Sequence, residues 1–467
     1  MTRHNRAAWT SLLASKAFAA CVGFFVLLRI ARVLGPEAFS GVEYAASVAG
    51  VMLVWVRGGV ETITHREAAR NPKLIAPLSE VLLVTKIGLA ALALALIAAC
   101  GFASRTPQST VLLVAGLILI PSALCLDVGP RANGDLYAIA AIQTLRTIGL
   151  LTTVFLLVSG PRDARLAAGC VVVAETIASI GFGLLHVFKY RAPRPRIRLR
   201  AIRVLLARGL VTSLGRFSRV FLYAADLLIL GAILGSSGLG PYAAARRIVF
   251  AILAVGLVIP SALGPLLAKT WLAGAFETSA ALSRVTSLLL GPLIAASLGL
   301  ILLAPEWMND LFGSSYRSGG LALALFAARL PLMIISAMTV SALIAIRLEN
   351  DTLQILSIAC VLAVTFVPIV SWIWGPIGAA WSILGIELFI AGAGWRRLAQ
   401  LGAAPRYPTL DGVDLIGIAS LVCVVEVARG RPTWAVALLA AGAFGFARFA
   451  SKKIERLRPL ASVEAAR

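Results

Sequence analysis

Charged residues are scarce in this sequence, and acidic residues are the scarcest of them. Only 14% of its 467 residues are charged, and 21 Asp and Glu stand against 43 Lys and Arg. A soluble domain has about 25% charged residues. The composition therefore excludes an ordinary soluble domain, which agrees with a hydrophobic content of 60% and a mean hydropathy of +0.92.

The residue types that build catalytic and metal sites are also few. The three histidines are scattered at positions 4, 65 and 186, so the sequence contains no His cluster for zinc. The six cysteines lie in apolar stretches and none form a CxxC pair, which indicates small buried hydrophobes. No GxxxxGKS or GxxxxGKT loop occurs, so we expect no ATP hydrolysis by this chain.

In place of these features the sequence has a series of long apolar runs. A helix needs about 20 mostly apolar residues to cross the hydrocarbon core of a membrane. We therefore predict an all-α polytopic membrane protein with about 14 transmembrane helices. The runs lie near residues 11–34, 41–63, 80–103, 110–128, 137–159, 166–188, 207–234, 242–267, 285–304, 320–346, 353–374, 376–395, 413–428 and 432–449.

The net charge of +22 reflects the orientation of these helices. With the N-terminus in the cytoplasm, about 26 Lys and Arg fall on the cytoplasmic side and about 7 on the periplasmic side, as the positive-inside rule requires. We therefore predict that both termini are cytoplasmic. Nucleic acid is not needed to explain the charge, and we expect no binding to it.

A short phrase occurs twice in the chain. Residues 34–47 read LGPEAFSGVEYAAS and residues 234–247 read LGSSGLGPYAAARR, so each copy has Leu-Gly and, after a further Gly, Tyr-Ala-Ala. Six predicted spans separate the copies, which gives both the same orientation in the membrane. Two fainter echoes pair RANGD (131–135) with RLEND (347–351), and GFAS (101–104) with LFGS (311–314).

The repeat predicts two six-helix lobes, related by an axis along the membrane normal, with two extra C-terminal helices. The predicted division is an N-terminal lobe at 1–188, a basic cytoplasmic linker at 189–206, a C-terminal lobe at 207–398, two additional transmembrane helices within 399–450 and a cytoplasmic tail at 451–467. We interpret the linker as a connector that lies near anionic membrane lipid. Tight turns or close backbone approaches are predicted at Gly35, Gly41, Gly235 and Gly240.

The echoed phrases also resemble a known family. The segments ARVLGPEAFSGVEY (31–44), DLLILGAILGSSGLGPYAAARRI (226–248) and LFGSSYRSGG (311–320) are similar to bacterial polysaccharide-unit flippases of the Wzx type. That family belongs to the same superfamily, the MOP superfamily, as the lipid II flippases and the multidrug and toxic-compound extruders. The resemblance implies a transporter without a cofactor, and not an enzyme, in the cytoplasmic (inner) membrane of a bacterium.

The resemblance also implies the cargo and its partners. A lipid-linked oligosaccharide, usually on undecaprenyl diphosphate, moves from the cytoplasmic to the periplasmic leaflet for lipopolysaccharide or exopolysaccharide synthesis. A polysaccharide polymerase and a chain-length regulator are further implied partners. A gradient of H+ or Na+ drives transport in the superfamily, and Asp226 or Glu61 are the candidates for ion coupling.

Ionisable residues inside the apolar runs are the candidates for a substrate site. A Lys, Arg or Asp at mid-membrane costs about 2.5–3.5 kcal/mol on insertion scales, so such residues normally face a cavity or each other. The seventh run has polar residues every three or four positions, within a stripe about 80° wide. This stripe consists of Arg208, Thr212, Arg216, Arg219, Tyr223 and Asp226. A closed salt-bridge network is an alternative, but a hydrated cavity is favoured because acidic partners are too few.

Arginines in several runs predict a site for a diphosphate group, because Arg makes bidentate contacts with phosphate. The predicted diphosphate-binding residues are Arg57, Arg146, Arg216, Arg219, Arg247 and Arg329. With the predicted topology, the first four lie from the cytoplasmic half to the midplane and the last two nearer the periplasm. Arg57 and Glu61 are four residues apart and can pair on one helix face. Lys16 and Lys86 either line the cavity or snorkel to the cytoplasmic interface.

Three alternative functions are weighed against a glycan-lipid flippase. A lipid II flippase would recognise a chemically similar carrier. A multidrug or cation antiporter of the superfamily would favour acidic cavity residues, whereas this stripe is mainly Arg. A membrane glycan polymerase or ligase generally needs a large periplasmic loop, and the longest predicted one runs only from about 305 to 320.

Overall fold

The computed structural model describes residues 3–104, 107–190, 198–235, 238–257 and 263–405. Helices make up nearly all of this part of the chain, and it contains no strand. The all-α class predicted from the sequence is therefore confirmed. The predicted spans at 413–428 and 432–449, the tail at 451–467 and linker residues 191–197 lie outside the described residues.

Fourteen α-helices are described, with two short 3-10 helices at Pro72–Leu74 and Ser314–Gly319. The α-helices are α1 (Arg3–Arg70), α2 (Ile75–Ser104), α3 (Pro107–Gly116), α4 (Leu119–Leu124), α5 (Val128–Ala132), α6 (Leu136–Leu157), α7 (Ala164–Tyr190), α8 (Leu199–Leu234), α9 (Gly240–Gly256), α10 (Gly264–Ala273), α11 (Ala275–Leu302), α12 (Ala304–Phe312), α13 (Gly320–Ala345) and α14 (Glu349–Gln400).

Eight of the described helical segments are long and apolar enough to cross a membrane. The segment Ala14–Arg70 has 57 residues and Glu349–Gln400 has 52. At 1.5 Å per residue each would be about 80 Å long, whereas the hydrocarbon core is about 30 Å thick. Each is interrupted by a non-helical glycine, Gly35 in α1 and Gly375 in α14, and so supplies two of the predicted spans.

The chain doubles back at Gly375. Gly375 has φ 60° and ψ −146°, which few residues other than glycine adopt. Ser382 Oγ donates to the carbonyl oxygen of Phe366 at 3.5 Å, although the two residues are sixteen apart in sequence. The predicted runs at 353–374 and 376–395 are therefore the two arms of a helical hairpin. The total of 14 spans stays a prediction, because the last two runs lie outside the described residues.

The echoed phrase has the same backbone conformation in both copies. Gly35 has φ 72° and ψ 173°, and Gly235, which ends α8, has φ 70° and ψ −176°. Gly240 begins α9, and a Cβ at this position would collide with the carbonyl oxygen of Pro36. Gly41, predicted at a turn, instead lies inside the helix and is buried. The turn is already made at Gly35, and Pro36 has a φ suited to the first turn of the following helix.

A second pair of matching turns ends α5 and α13. Gly134 has φ 69° and Arg347 has φ 66°, and Arg347 is the one non-glycine residue with positive φ in the described part of the chain. Backbone hydrogen bonds of the Schellman type close both turns, from Asp135 N to Pro130 O at 2.9 Å and from Leu348 N to Leu343 O at 2.8 Å. The structure thus pairs Gly134 with Arg347. The echo of RANGD and RLEND instead pairs Arg131 with Arg347, so the two alignments differ by three residues.

An acidic residue after each of these turns binds a cation at the end of a later helix. Asp135 accepts from Lys189 Nζ at 2.7 Å and from Tyr190 Oη at 2.6 Å, and Asp351 accepts from Arg397 Nε at 2.6 Å. Burial acts to raise the pKa of Asp135, but the hydrogen bonds from Lys189 and Tyr190 outweigh it and hold that pKa below its usual range. The repeat therefore extends from backbone turns to side-chain contacts.

The contacts divide the chain into two compact units, Met1–Ala244 with Leu356–Ser382, and Ala245–Ile355 with Ile383–Arg467. This division differs from the predicted lobes at 1–188 and 207–398, because α8 and residues 356–382 belong to the first unit. Two glycines account for the place of α8. A Cβ on Gly59 of α1 would collide with the carbonyl oxygen of Gly209 of α8, so the two helices pack with their backbones in contact.

Candidate functional site

A break in α1 begins the candidate site in the first unit. Gly58 has φ −33° and ψ −111°, which interrupts the hydrogen bonding of the helix. Side chains of α8 bond to the backbone at the break, because Ser213 Oγ accepts from Gly59 N at 2.8 Å and Arg216 Nη1 donates to the Gly58 carbonyl at 3.3 Å. The break thus lies next to two predicted site residues, Arg57 and Arg216.

Arg57 lies at the centre of a group of charged side chains from α1, α6 and α7. Its Nε donates to Glu61 Oε1 at 3.3 Å, and its Nη1 donates to Glu175 Oε1 at 2.9 Å. The other carboxylate oxygen of Glu175 lies 3.0 Å from Arg146 Nε, a charge contact in which the N–H does not point at the oxygen. The structure therefore brings together three predicted residues, Arg57, Arg146 and Glu61.

Lys86 of α2 completes this group, and its position decides between the two readings of the sequence. Its side chain is 1% exposed, and Nζ donates to Glu61 Oε1 at 2.7 Å and to the carbonyl oxygen of Cys125 at 3.0 Å. A snorkelling lysine would place its amine in water or among head groups. Lys86 does not snorkel, because its amine is enclosed by protein oxygen atoms.

The group has an excess of positive charge. Three cations surround two carboxylates, so these five side chains together have one net positive charge. An unbalanced buried charge is costly unless a counter-ion or water reaches it. The side chains of Arg57 and Arg146 are 29% and 37% exposed, so they are the part of the group that protein covers least. We call Arg57, Glu61, Lys86, Arg146 and Glu175 the charged cluster.

Two arginines of α8 add positive charge beside the charged cluster. Arg216 is exposed and its hydrogen bond is to the neutral Gly58 carbonyl. Arg219 is half-buried and donates to Tyr223 Oη at 3.4 Å. Within the described residues, neither guanidinium has a carboxylate partner. These two arginines fit the predicted hydrated stripe, whereas the residues of the charged cluster are already paired.

Asp226 lies at the far end of the same stripe. Its side chain is 1% exposed, and its two oxygens accept from Leu227 N at 2.8 Å and from Tyr242 Oη at 3.0 Å. Ten residues along α8 separate it from Arg216, which is about 15 Å of helix. Asp226 is therefore distant from the charged cluster, and the structure does not join the two residues predicted for ion coupling, Asp226 and Glu61.

The second unit contains a closed ion pair. Arg329 is 3% exposed, and its Nε and Nη2 donate to Glu387 Oε2 at 3.0 and 2.7 Å. Ser336 Oγ also donates to Glu387. Arg329 was predicted to bind diphosphate. In the structure it instead forms a buried salt bridge, which is the alternative interpretation of charges inside apolar runs. Arg247 is half-buried on α9 in the same unit.

Two residues with unusual surroundings were not singled out from the sequence as site residues. Arg29 of α1 has a buried Nε without a hydrogen-bond acceptor, and its guanidinium lies 5.6 Å from the centre of the Phe155 ring. The rule that charges inside apolar runs have a function would have found it. His65 Nε2 lies 3.1 Å from Asp127 Oδ1, a pairing that sequence spacing does not reveal because 62 residues separate the two.

No group of three or more His, Cys, Asp or Glu side chains that could hold a metal ion occurs in the described ranges. The site is instead built from arginines, a lysine and carboxylates on membrane-spanning helices. Such an arrangement can bind and release an anion. The long apolar helices define a multi-pass membrane protein.

The chain belongs to the polysaccharide biosynthesis protein family, because the sequence profile of that family matches residues 6–271, more than half of the chain. No curated protein matches it. The predicted membership of a polysaccharide-synthesis family is therefore confirmed, and the Wzx type stays a prediction.

Solved structures show the fold. The lipid II flippase MurJ in an inward closed conformation matches with a TM-score of 0.72 and 12% identity, over 96% of this chain and 99% of that one. An inward-facing multidrug resistance MATE family transporter of the MOP superfamily has a TM-score of 0.57 at 14% identity, over 84% and 98%. A Vibrio cholerae MATE transporter has 0.53 at 13%, over 85% and 98%. The chain thus has a transporter fold, in agreement with the prediction that it is not an enzyme.

Proposed function

We propose that the chain is a flippase for an undecaprenyl-diphosphate-linked oligosaccharide. It moves this lipid from the cytoplasmic to the periplasmic leaflet of the bacterial cytoplasmic membrane, with both of its own termini in the cytoplasm. The observation that carries the proposal is the excess positive charge of the first unit, where Arg216 and Arg219 lack carboxylate partners beside a charged cluster that is itself positive.

The charges match those of the proposed cargo. A diphosphate that links a polyprenol to a sugar has one negative charge on each phosphate. Arg216 and Arg219 supply two cations whose present partners are neutral, so both can turn to phosphate without breaking an ion pair. Arg makes two parallel hydrogen bonds to a phosphate group and is weakly hydrated, which suits a partly dry cavity.

Other arginines have secondary roles in this proposal. Arg57 and Arg146 present their exposed sides to the same anion while Glu61 and Glu175 hold them in place. Arg247 is the candidate for a later, periplasmic stage of transport. Arg329 can contribute only if its pair with Glu387 opens, because its observed hydrogen bonds go to that carboxylate.

Asp226 is the better candidate for coupling to H+ or Na+. Protonation of Glu61 would leave Lys86 and Arg57 without their shared counter-charge, which is costly in a buried site. Asp226 accepts hydrogen bonds from a backbone amide and a tyrosine hydroxyl, and it does not belong to the charged cluster. A change in its charge would therefore leave the contacts of Glu61 with Arg57 and Lys86 intact.

Movement of the lipid between the two leaflets of liposomes tests the proposal. The protein is reconstituted with a fluorescent undecaprenyl-diphosphate oligosaccharide in one leaflet, and its movement is followed with a membrane-impermeant reagent. We expect movement by the wild type, and at least a tenfold slower rate, about the loss of one charge-assisted contact, in Arg216→Ala/Arg219→Ala. Arg203→Ala, an exposed arginine at the start of α8, is the matched control and should transport normally.

Two outcomes would redirect the proposal. Wild-type rates in Arg216→Ala/Arg219→Ala would show that these arginines do not bind the cargo. Faster movement of lipid II than of any oligosaccharide diphosphate would favour a lipid II flippase, which the head group alone does not distinguish. A cation antiporter is disfavoured by the same charge excess, and an assay of cation efflux from these liposomes checks that directly.

A further inference from the structure

The function proposed above gives Lys86 no contact with the cargo, although Lys86 is the most deeply buried cation of the charged cluster. We infer that Lys86 is a positioning residue, which fixes Glu61 and through it sets both the place and the effective charge of Arg57. This inference rests on the proposed binding of a diphosphate by the first unit. It concerns how the site is kept receptive to an anion.

The carboxylate of Glu61 lies between two cations. Glu61 Oε1 accepts from Lys86 Nζ at 2.7 Å and from Arg57 Nε at 3.3 Å, so one oxygen atom serves both cations and lies nearer to the lysine. Lys86 is also fixed by the Cys125 carbonyl at 3.0 Å. The carboxylate is therefore drawn toward α2, which leaves Arg57 with a long contact to Glu61 and with its Nη1 on Glu175.

Lys86 also sets the net charge of the cluster. With Lys86 present, Glu61 is shared between two cations and the cluster has one net positive charge. Without Lys86, Glu61 would pair with Arg57 alone, and the cluster would be neutral. Arg57 would then be fully compensated before any substrate arrived. Because an anion is attracted by uncompensated charge in a region of low dielectric constant, the neutral cluster should bind a diphosphate more weakly.

A purely structural role for Lys86 makes a different prediction. A structural pair stabilises the helices whatever the sign of the remaining charge, so removal of Lys86 and of the Glu61 charge should both weaken the protein and its binding. The positioning role predicts opposite signs for these two changes, and near-recovery when they are combined. The sign pattern, rather than the loss of function alone, separates the two roles.

The experiment measures binding of farnesyl diphosphate to the full chain in lipid nanodiscs at fixed ionic strength, with farnesol as the control for tail binding. The variants are Lys86→Met, Glu61→Gln and their combination, with Lys86→Arg as the conservative change. We expect affinity to fall about tenfold in Lys86→Met, a typical coupling between charges in one network. Affinity should rise in Glu61→Gln, return to within about threefold of wild type in the double variant and persist in Lys86→Arg.

Each outcome decides something. If the wild type binds farnesyl diphosphate no better than farnesol, the proposed function itself fails. If the wild type binds and folded Lys86→Met binds equally well, the inference about Lys86 is wrong. If Lys86→Met does not fold, Glu61→Gln and the double variant decide, since tighter binding by Glu61→Gln supports the positioning role and equal binding overturns it.

Discussion

Arg329 and Glu387 form an ion pair that water barely reaches, with side chains 4% and 3% exposed. Replacing Arg329 by Met leaves Glu387 with only the Ser336 hydroxyl as a described partner in place of a guanidinium. Removal of one member of a buried pair costs about 3–5 kcal/mol, because the remaining charge stays in a region that cannot solvate it. We therefore expect Arg329→Met to be strongly destabilised.

The magnitude can be converted into a melting temperature. At about 2–4 °C per kcal/mol for a unit of some 150–250 residues, this loss corresponds to a fall in Tm of about 10 °C. The double variant Arg329→Met/Glu387→Leu removes both charges, and such replacements are often neutral. Ser336 keeps a partner in that variant, because its hydroxyl also donates to the Met333 carbonyl at 3.0 Å. The double variant should melt within about 3 °C of wild type.

The assay is thermal unfolding of the purified protein in detergent, followed by intrinsic fluorescence at one scan rate. Arg317→Met, an exposed arginine in the 3-10 helix that precedes α13, is the matched control and should leave Tm unchanged. A double variant no more stable than Arg329→Met would refute the reasoning. Transport by a folded double variant then addresses the site, because a normal rate would remove Arg329 from the predicted diphosphate-binding residues, and a lost rate would restore it.

Two further predictions concern packing and pH. Gly59→Ala places a methyl group against the Gly209 carbonyl and should destabilise the protein by about 1–3 kcal/mol. The control is Gly50→Ala, whose methyl group meets open space on the same helix and should not destabilise the protein. Equal melting temperatures of the two variants would contradict the close α1–α8 contact. Because the pKa of Asp135 is lowered in the folded protein, its ionised carboxylate stabilises the fold at neutral pH. This stabilisation is lost as the pH falls through that pKa. Asp135→Asn should therefore melt below wild type at pH 7, by at most about 1 kcal/mol for a surface pair, and this difference should shrink below about pH 4. A difference that does not change with pH would argue against the carboxylate as its source.

Local sequence patterns were sufficient to predict the features that depend on residues close together in the sequence. Apolar runs predict membrane helices because each helix satisfies its own backbone hydrogen bonds in lipid. The i to i+4 spacing of Arg57 and Glu61 predicts their contact, because such residues share a helix face. The echo at Gly35 and Gly235 predicts a repeated turn, since only glycine adopts that backbone conformation freely.

Contacts between distant residues were decided by the tertiary structure alone. Whether an arginine in an apolar run is open to an anion or closed by a carboxylate depends on a partner from another helix, and no local pattern specifies that partner. Arg216 and Arg329 look alike in the sequence, yet Arg216 has a carbonyl beside it and Arg329 a buried glutamate 58 residues away. Lys86 likewise could only be distinguished from a snorkelling lysine once Glu61 and the Cys125 carbonyl were seen around its amine.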